Sequence, residues 1–297
     1  MTRDTADIED MLMEKKALIT GINGFVGPYL KIELENNGYE VFGLDLKKGI
    51  VGKSFSCDIT RYESVFPIIN EVRPEYVFHL AGFSSVAKSF KDPELCRKIN
   101  VEGTRNLLES IKNVRIRPRV LIVSSSDVYG RTAVNPVYER QLVQPVSPYG
   151  ESRVEQERLA AQYDLPIIMA RSFSHTGKGQ SSVAVIPSFQ KQIEEAPNNG
   201  IIYVGNLNVV RDFSDVEDVV KAYRLLLEKG VAGEIYNVGS SIGYNLEEVL
   251  KKMVADSGKN LQIKIDTEKI RKNDIPVIIA DTDKLYEIIG FKFRKIF

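Results

Sequence analysis

Short apolar runs alternate with segments of helix length through the first half of the chain. The runs are Ala17–Thr20, Val41–Leu44, Tyr76–Leu80, Val120–Ser124 and Ile167–Ala170, and helices are expected between them near 25–37, 61–72, 92–112 and 148–164. This alternation predicts a parallel sheet covered by helices on both faces. Pro74, Pro118 and Pro166 each stand just before a run, where a residue that cannot continue a helix marks its end. Beyond about residue 172 the pattern loosens, with Pro187, Pro197, Gly200, Gly205, Gly230, Gly233 and Gly243 interrupting shorter elements. That half is expected to form a smaller mixed α/β lobe over the carboxyl edge of the sheet, the edge at which open α/β sheets bind ligands. Ile235–Val238 is expected to return to the sheet. The resulting division assigns residues 13–171, with a returning segment near 208–240, to the sheet domain, and residues 172–207 and 241–297 to the lobe. Residues 1–12, polar and acidic, are expected to be a disordered extension.

The first run empties into Gly21-Ile22-Asn23-Gly24-Phe25-Val26-Gly27, a turn with glycine at every third position leading into a helix. Glycine lets the backbone turn tightly and lets phosphate oxygens approach peptide N–H groups, while the helix N-terminus adds partial positive charge. The second run ends at Asp45, eighteen residues beyond Gly27. A dinucleotide-binding unit places there the acid that accepts hydrogen bonds from ribose hydroxyls. Strand, glycine turn, helix, strand and acid together predict a Rossmann-type doubly wound sheet that binds a dinucleotide. Asp45 favours NAD over NADP, because a carboxylate repels a 2'-phosphate; Lys47 and Lys48 soften that preference.

Composition narrows the partners. Forty basic and forty acidic residues give no net charge, so no global field points to nucleic acid or to an anionic membrane. No apolar stretch approaches the roughly 20 residues that span a bilayer, and the N-terminus lacks the apolar core of a signal peptide. Cys57, Cys96, His79 and His175 have no metal-ligand spacing, and two cysteines in 297 residues suit a reducing compartment. A cytoplasmic protein without a metal site is expected.

The chemistry concentrates in two segments. Ser147-Pro148-Tyr149-Gly150-Glu151-Ser152-Arg153 opens a helix, which puts Tyr149 and Arg153 on one face, four residues apart. A unit positive charge about 4 Å from a phenolate, at an effective dielectric near 20, stabilises it by about 4 kcal/mol. The run Val120–Ser124 continues into Ser125, Ser126 and Asp127 at the carboxyl edge, where hydroxyls can hold a substrate oxygen.

Together with His79-Leu80-Ala81-Gly82 and Asn100-Val101-Glu102-Gly103-Thr104, these motifs resemble the extended short-chain dehydrogenase/reductase family, specifically its nucleotide-sugar epimerases, dehydratases and reductases. The resemblance spans about Lys15 to Gly290. Within the family, Ala170–Gln180, Val204–Val216 and Arg271–Pro276 look most like the GDP-6-deoxy-4-keto-mannose reductases and, less closely, the GDP-mannose 4,6-dehydratases. The resemblance implies that Gly21, Asn23, Gly24, Phe25, Val26 and Gly27 line a cofactor diphosphate, Asp45 its adenosine ribose, and Asp58 and Ile59 its adenine. Leu80, Ala81, Gly82 and Asn100 would lie beside the cofactor, and Ser125, Asp127, Tyr149 and Arg153 would carry the chemistry. Ser84, Ser126, Ser174, Arg211 and Arg271 would hold the substrate, with Arg211 and Arg271 gripping its diphosphate.

The implied reaction is hydride transfer at sugar C4 on a GDP-linked nucleotide sugar, with reductase ranked first, 4,6-dehydratase or epimerase next, and a non-catalytic dinucleotide-binding module as a different class. Relatives commonly form homodimers through the helices near 92–112 and 148–164. Two departures stand out: Arg153 occupies the family's usual lysine position, and Ser174 stands where relatives commonly carry asparagine.

Overall fold

The computed structural model describes residues 15–47, 53–270 and 274–297. The expected N-terminal extension, Lys48 and Arg271 lie outside the described residues.

Chain order in the first half is β1 (Lys15–Thr20), α1 (Gly27–Glu35), β2 (Tyr39–Asp45), β3 (Lys53–Ser56), α2 (Tyr62–Val72), β4 (Tyr76–His79), α3 (Val86–Ser89), α4 (Pro93–Arg97), α5 (Gly103–Val114), β5 (Arg119–Ser125), α6 (Pro148–Ala160) and β6 (Ile167–Ser172). There follow β7 (Ser174–Thr176), α7 (Val185–Glu195), β8 (Ile201–Val204), β9 (Val210–Asp215), α8 (Val216–Lys229) and β10 (Ile235–Val238). The chain closes with β11 (Gly243–Asn245), α9 (Leu246–Asp256), β12 (Gln262–Ile265), β13 (Val277–Ile278) and α10 (Asp283–Ile289). The five apolar runs form β1, β2, β4, β5 and β6. A seven-stranded sheet results, in the order β10-β6-β5-β4-β1-β2-β3, and every adjacent pair in it is parallel. The fold is therefore the Rossmann-type α/β sheet. Strand β10 pairs with β6, Ile235 opposite Met169, so the chain does return to the sheet.

Apolar residues on the two faces of this sheet pack into separate cores, which is why its strands read as nearly continuous apolar runs. Ala17 and Ile19 of β1 join α1, α8 and α10, with Leu30, Tyr223, Leu226 and Leu285 fully buried among them. Leu18 faces the other way, onto α2 and α5, with Val65, Ile69, Leu107 and Leu108. A third core, built from Ile186, Phe189, Val204, Phe213 and Leu250, holds the smaller sheets to α7 and α9. There β9 pairs with β11, β13 and β7, and β8 pairs with β12.

One helix departs from its expected form. The segment expected as a single helix over 92–112 is α4 and α5 joined by a π turn at Lys98–Glu102, with Asn100 fully buried in that turn. Apolar periodicity does not distinguish such a turn from an α-helix, and π turns of this kind gather at functional sites. Among the described residues no helix is long and apolar enough to cross a membrane.

Candidate active site

The glycine turn is shaped by its neighbours. Gly21 has φ +72°, and a Cβ there would lie 2.9 Å from the Ala81 backbone nitrogen and Cα, so only glycine allows β1 to leave the sheet against β4. Gly24 N–H donates to the Gly21 carbonyl at 3.0 Å, which closes the turn. The parallel register sets Leu44 opposite Thr20 and brings Asp45 alongside. Asp45 then accepts from Asn23 N–H at 3.0 Å and from Leu46 N–H at 2.8 Å. Asn23 donates its side-chain amide to the Lys47 carbonyl. Phe25 stacks on His175 with ring centroids 6.0 Å apart, tying the glycine turn before α1 to β7. Val26 is the N-cap residue of α1, and Gly27, its first residue, is buried.

Asp58 caps its own turn, accepting from Thr60 N–H and hydroxyl at 2.9 and 2.8 Å. Ile59 beside it is buried. The chain leaves β4 through Leu80, Ala81 and Gly82, with Ala81 N–H bonded to Thr20 Oγ1 at 3.0 Å.

Helix α6 is built to present Tyr149 and Arg153. Ser147 is its N-cap, accepting from Gly150 N–H, and Pro148 fills the first helical position. Tyr149 N–H donates to Ser89 Oγ at 3.2 Å. Both Tyr149 and Arg153 are buried, and the guanidinium carbon lies 5.3 Å from the centre of the Tyr149 ring. Arg153 Nη1 donates to the Val123 carbonyl at 3.1 Å and to Gln156 Oε1 at 2.8 Å, while its buried Nε has no partner. At the end of β5, Ser125 Oγ donates to Asp127 Oδ2 at 3.0 Å and accepts from Asp127 N–H at 3.1 Å. Ser126 is buried beside them.

Asn100 clamps the exit of β4. Its Oδ1 accepts from Phe83 N–H at 2.7 Å, and its Nδ2 donates to the Phe83 carbonyl at 3.2 Å and to Ser152 Oγ at 2.8 Å. Ser84, next along, is exposed. Ser174 lies half-buried on β7. Arg211, on β9, is ion-paired through Nη2 with Asp274 Oδ1 at 2.7 Å.

Sequence reasoning missed an ion pair behind α6. Arg171 of β6 bonds Glu157 through Nη2 at 2.7 Å and Nε at 3.0 Å, and both side chains are buried. Ser124 also donates to Glu157, and Arg171 reaches Tyr129 Oη at 3.1 Å. Burial alone would lower the basicity of Arg171, but the hydrogen bonds and charge of Glu157 outweigh it and raise it. The signal was present as a lone arginine at the end of the apolar run Ile167–Ala170.

Comparison with known proteins agrees with this architecture. A family model described as GDP-mannose 4,6 dehydratase matches residues 18–297. GDP-6-deoxy-D-mannose reductase of Pseudomonas aeruginosa is 30% identical over 289 residues, covering 94% of this chain and 92% of that protein. The solved structure of RMD from P. aeruginosa complexed with NADPH superposes with a TM-score of 0.84 at 30% identity, covering 95% of this chain and 94% of that one. Thermus thermophilus UDP-glucose 4-epimerase in complex with NAD superposes with a TM-score of 0.85 at 27% identity, covering 95% of each chain. The chain is an enzyme of the extended short-chain dehydrogenase/reductases and belongs to their GDP-mannose 4,6 dehydratase family.

Proposed function

We propose that this protein is an NAD(P)-dependent nucleotide-sugar oxidoreductase acting at sugar C4, and that it reduces GDP-4-keto-6-deoxymannose. The observation that carries the reading is the assembly of Tyr149, Arg153 and Ser125 at the carboxyl edge of the sheet that also bears the glycine turn and Asp45. The best-matching activity among the relatives quoted above is a GDP-6-deoxy-D-mannose reductase.

The residues present fit a dinucleotide. The glycine turn leads into the N-terminus of α1, and the buried Arg153 Nε has no protein partner. Gly21, Asn23, Gly24, Phe25, Val26 and Gly27 would hold the diphosphate, Asp45 the adenosine ribose, and Asp58 with Ile59 the adenine. Leu80, Ala81, Gly82 and Asn100 would flank the nicotinamide half. When bound, the cofactor supplies the hydride that reduces the C4 carbonyl carbon.

The chain's own groups manage the oxygen. Ser125 orients the carbonyl oxygen by hydrogen bonding, and Tyr149 delivers the proton that turns it into a hydroxyl. Arg153 stabilises the phenolate that remains. A guanidinium keeps its proton, so Arg153 acts by charge and hydrogen bonding and not as a proton relay. Asp127 is bonded to Ser125 within its own turn. This placement supports an orienting role; the elimination of water across C5 and C6 would need a further acid/base. Ser84, Ser126, Ser174, Arg211 and Arg271 would bind the substrate, the arginines at its diphosphate. The reading includes residues 13–171 and 208–240 as the cofactor domain, a homodimer formed through α4, α5 and α6, and a cytoplasmic location, for which the buried free thiols of Cys57 and Cys96 are suited.

The test is product identification by mass after incubation with GDP-mannose alone and with GDP-4-keto-6-deoxymannose plus NADH or NADPH. Reduction of the keto sugar is expected. Loss of water from GDP-mannose would assign a dehydratase, and no turnover of any nucleotide sugar would leave the binding-module reading.

A further inference from the structure

Arg153 does not simply stand where a lysine would fit. Its guanidinium is confined on two edges, while the buried Nε has no protein partner. A Cβ on Gly82 would lie 2.7 Å from Arg153 Nη2 and 3.2 Å from Nη1, so alanine at 82 would force the fork to shift. On its other edge, Nη1 is fixed by two acceptors, the Val123 carbonyl and Gln156 Oε1.

The polarity of the bonds behind Gln156 can be assigned from donor and acceptor chemistry. Arg153 only donates, so Gln156 must present Oε1 to it and direct Nε2 to Thr104 Oγ1, 2.7 Å away. The single Thr104 hydroxyl proton goes to the Asn100 carbonyl at 2.6 Å, so Thr104 Oγ1 accepts from His79 Nε2 at 2.9 Å. In a neutral His79, Nδ1 then accepts from Thr20 Oγ1 at 2.7 Å, and Thr20 accepts from Ala81 N–H. The surroundings hold the ring neutral. Burial first, and the Arg153 charge second, hold His79 down to about 3. Behind Arg153, each of these donors from β4 to Gln156 has an acceptor.

We propose that Gly82, Gln156 and Thr104 form a dedicated guanidinium seat, in which Gln156 is a positioning residue that orients Arg153 toward Tyr149 and toward the nicotinamide ribose. The proposal rests on the reading of Arg153 as a cofactor-side group. Arginine at this position is then a coordinated solution and not a degraded lysine.

A double-mutant cycle tests it. The wild type, Gly82→Ala, Arg153→Lys and the double variant are compared by NADH dissociation constant and by thermal midpoint without ligand. Gly82→Ala is expected to weaken NADH binding at least tenfold and lower the midpoint. Arg153→Lys removes the clashing fork, so the double variant should recover most of both losses, although the Asn100 Oδ1 contact, 2.9 Å from the added Cβ, remains. Losses that simply combine in the double variant would overturn the seat.

Gln156→Leu supplies a separate readout. If Gln156 aims the guanidinium, kcat for the keto sugar should fall about tenfold or more with KM little changed; an unaltered kcat would overturn the positioning role. Absence of keto-sugar turnover in the wild type would count against the proposed reaction, and the NADH and melting cycle would still decide the seat.

Discussion

Arg153 of α6 and Arg171 of β6 are both almost fully buried and both bond a side chain of α6, yet their surroundings differ in kind. Arg171 meets the carboxylate of Glu157, so its charge is neutralised within the protein. Arg153 is held by neutral groups, a backbone carbonyl and a glutamine amide, and has no ion pair with any described residue. A cation fixed by neutral partners keeps its field for whatever lies beside it. Beside Arg153 lies Tyr149. Under the proposed function, the comparison separates a structural charge from a functional one: the first is closed on a protein partner, and the second is held in place with its charge uncompensated.

The largest effect that would sharpen this contrast is on chemistry. Tyr149→Phe keeps Arg153 and its partners but removes the proton donor, so kcat should fall by about a thousandfold or more while NADH binding stays close to wild type. Steady-state kinetics and a binding titration would check it.

Next comes the closed pair. Glu157→Leu leaves the Arg171 charge buried without a counter-charge and should cost about 3–5 kcal/mol of stability, read as a shift of the urea midpoint. Adding Arg171→Met should return much of that loss, because replacing a buried pair with apolar groups is often nearly neutral.

The pH dependence follows from His79. Its folded value lies near 3, well below the ordinary value of 6.5, through burial and then the Arg153 charge. Burial also lowers His175. Neutral in the folded state and protonated when unfolded, His79 contributes stability that is complete above about pH 6.5 and is lost as pH falls from there toward 3. At His79 this gives a slope of about 1.4 kcal/mol per pH unit below pH 6.5. Urea midpoints should therefore fall by the equivalent of about 2 kcal/mol through His79 between pH 6.5 and 5, and His79→Gln should remove that fall.

The smallest effect divides the two arginines most sharply. Arg153→Met removes a buried charge that has no counter-charge, and this relief offsets the two acceptors it leaves unpaired, so stability should stay within about 1 kcal/mol of wild type. Arg171→Met alone strands Glu157 and should cost several times more. Equal losses at the two positions would erase the distinction.

The sequence makes the strands of the large sheet legible because parallel strands buried on both faces are apolar throughout. Asp45 and the Tyr149–Arg153 spacing are legible because each depends on local geometry, the end of a strand or one turn of a helix. The partners of Arg153 and Arg171 are not. Thr104 reaches Gln156 across 52 positions and His79 across 25, and Arg171 reaches Glu157 between different elements. Such pairings are set by packing and not by periodicity. The π turn at Asn100 escaped for a related reason, since one extra residue in a turn barely alters the apolar pattern. In the second half, short strands such as β7, β11 and β13, of three, three and two residues, carry too little pattern to fix their pairing.

The central claim is that Tyr149, Ser125 and Arg153 serve a hydride transfer at sugar C4. It is tested most directly by locating the label after incubation of GDP-4-keto-6-deoxymannose with NADH or NADPH deuterated at its transferable position. The account predicts a product with one deuterium on C4 and a solvent proton on the new hydroxyl, formed about a thousandfold or more slowly by Tyr149→Phe. Unchanged keto sugar with either cofactor, or reduction by Tyr149→Phe at the wild-type rate, would contradict it.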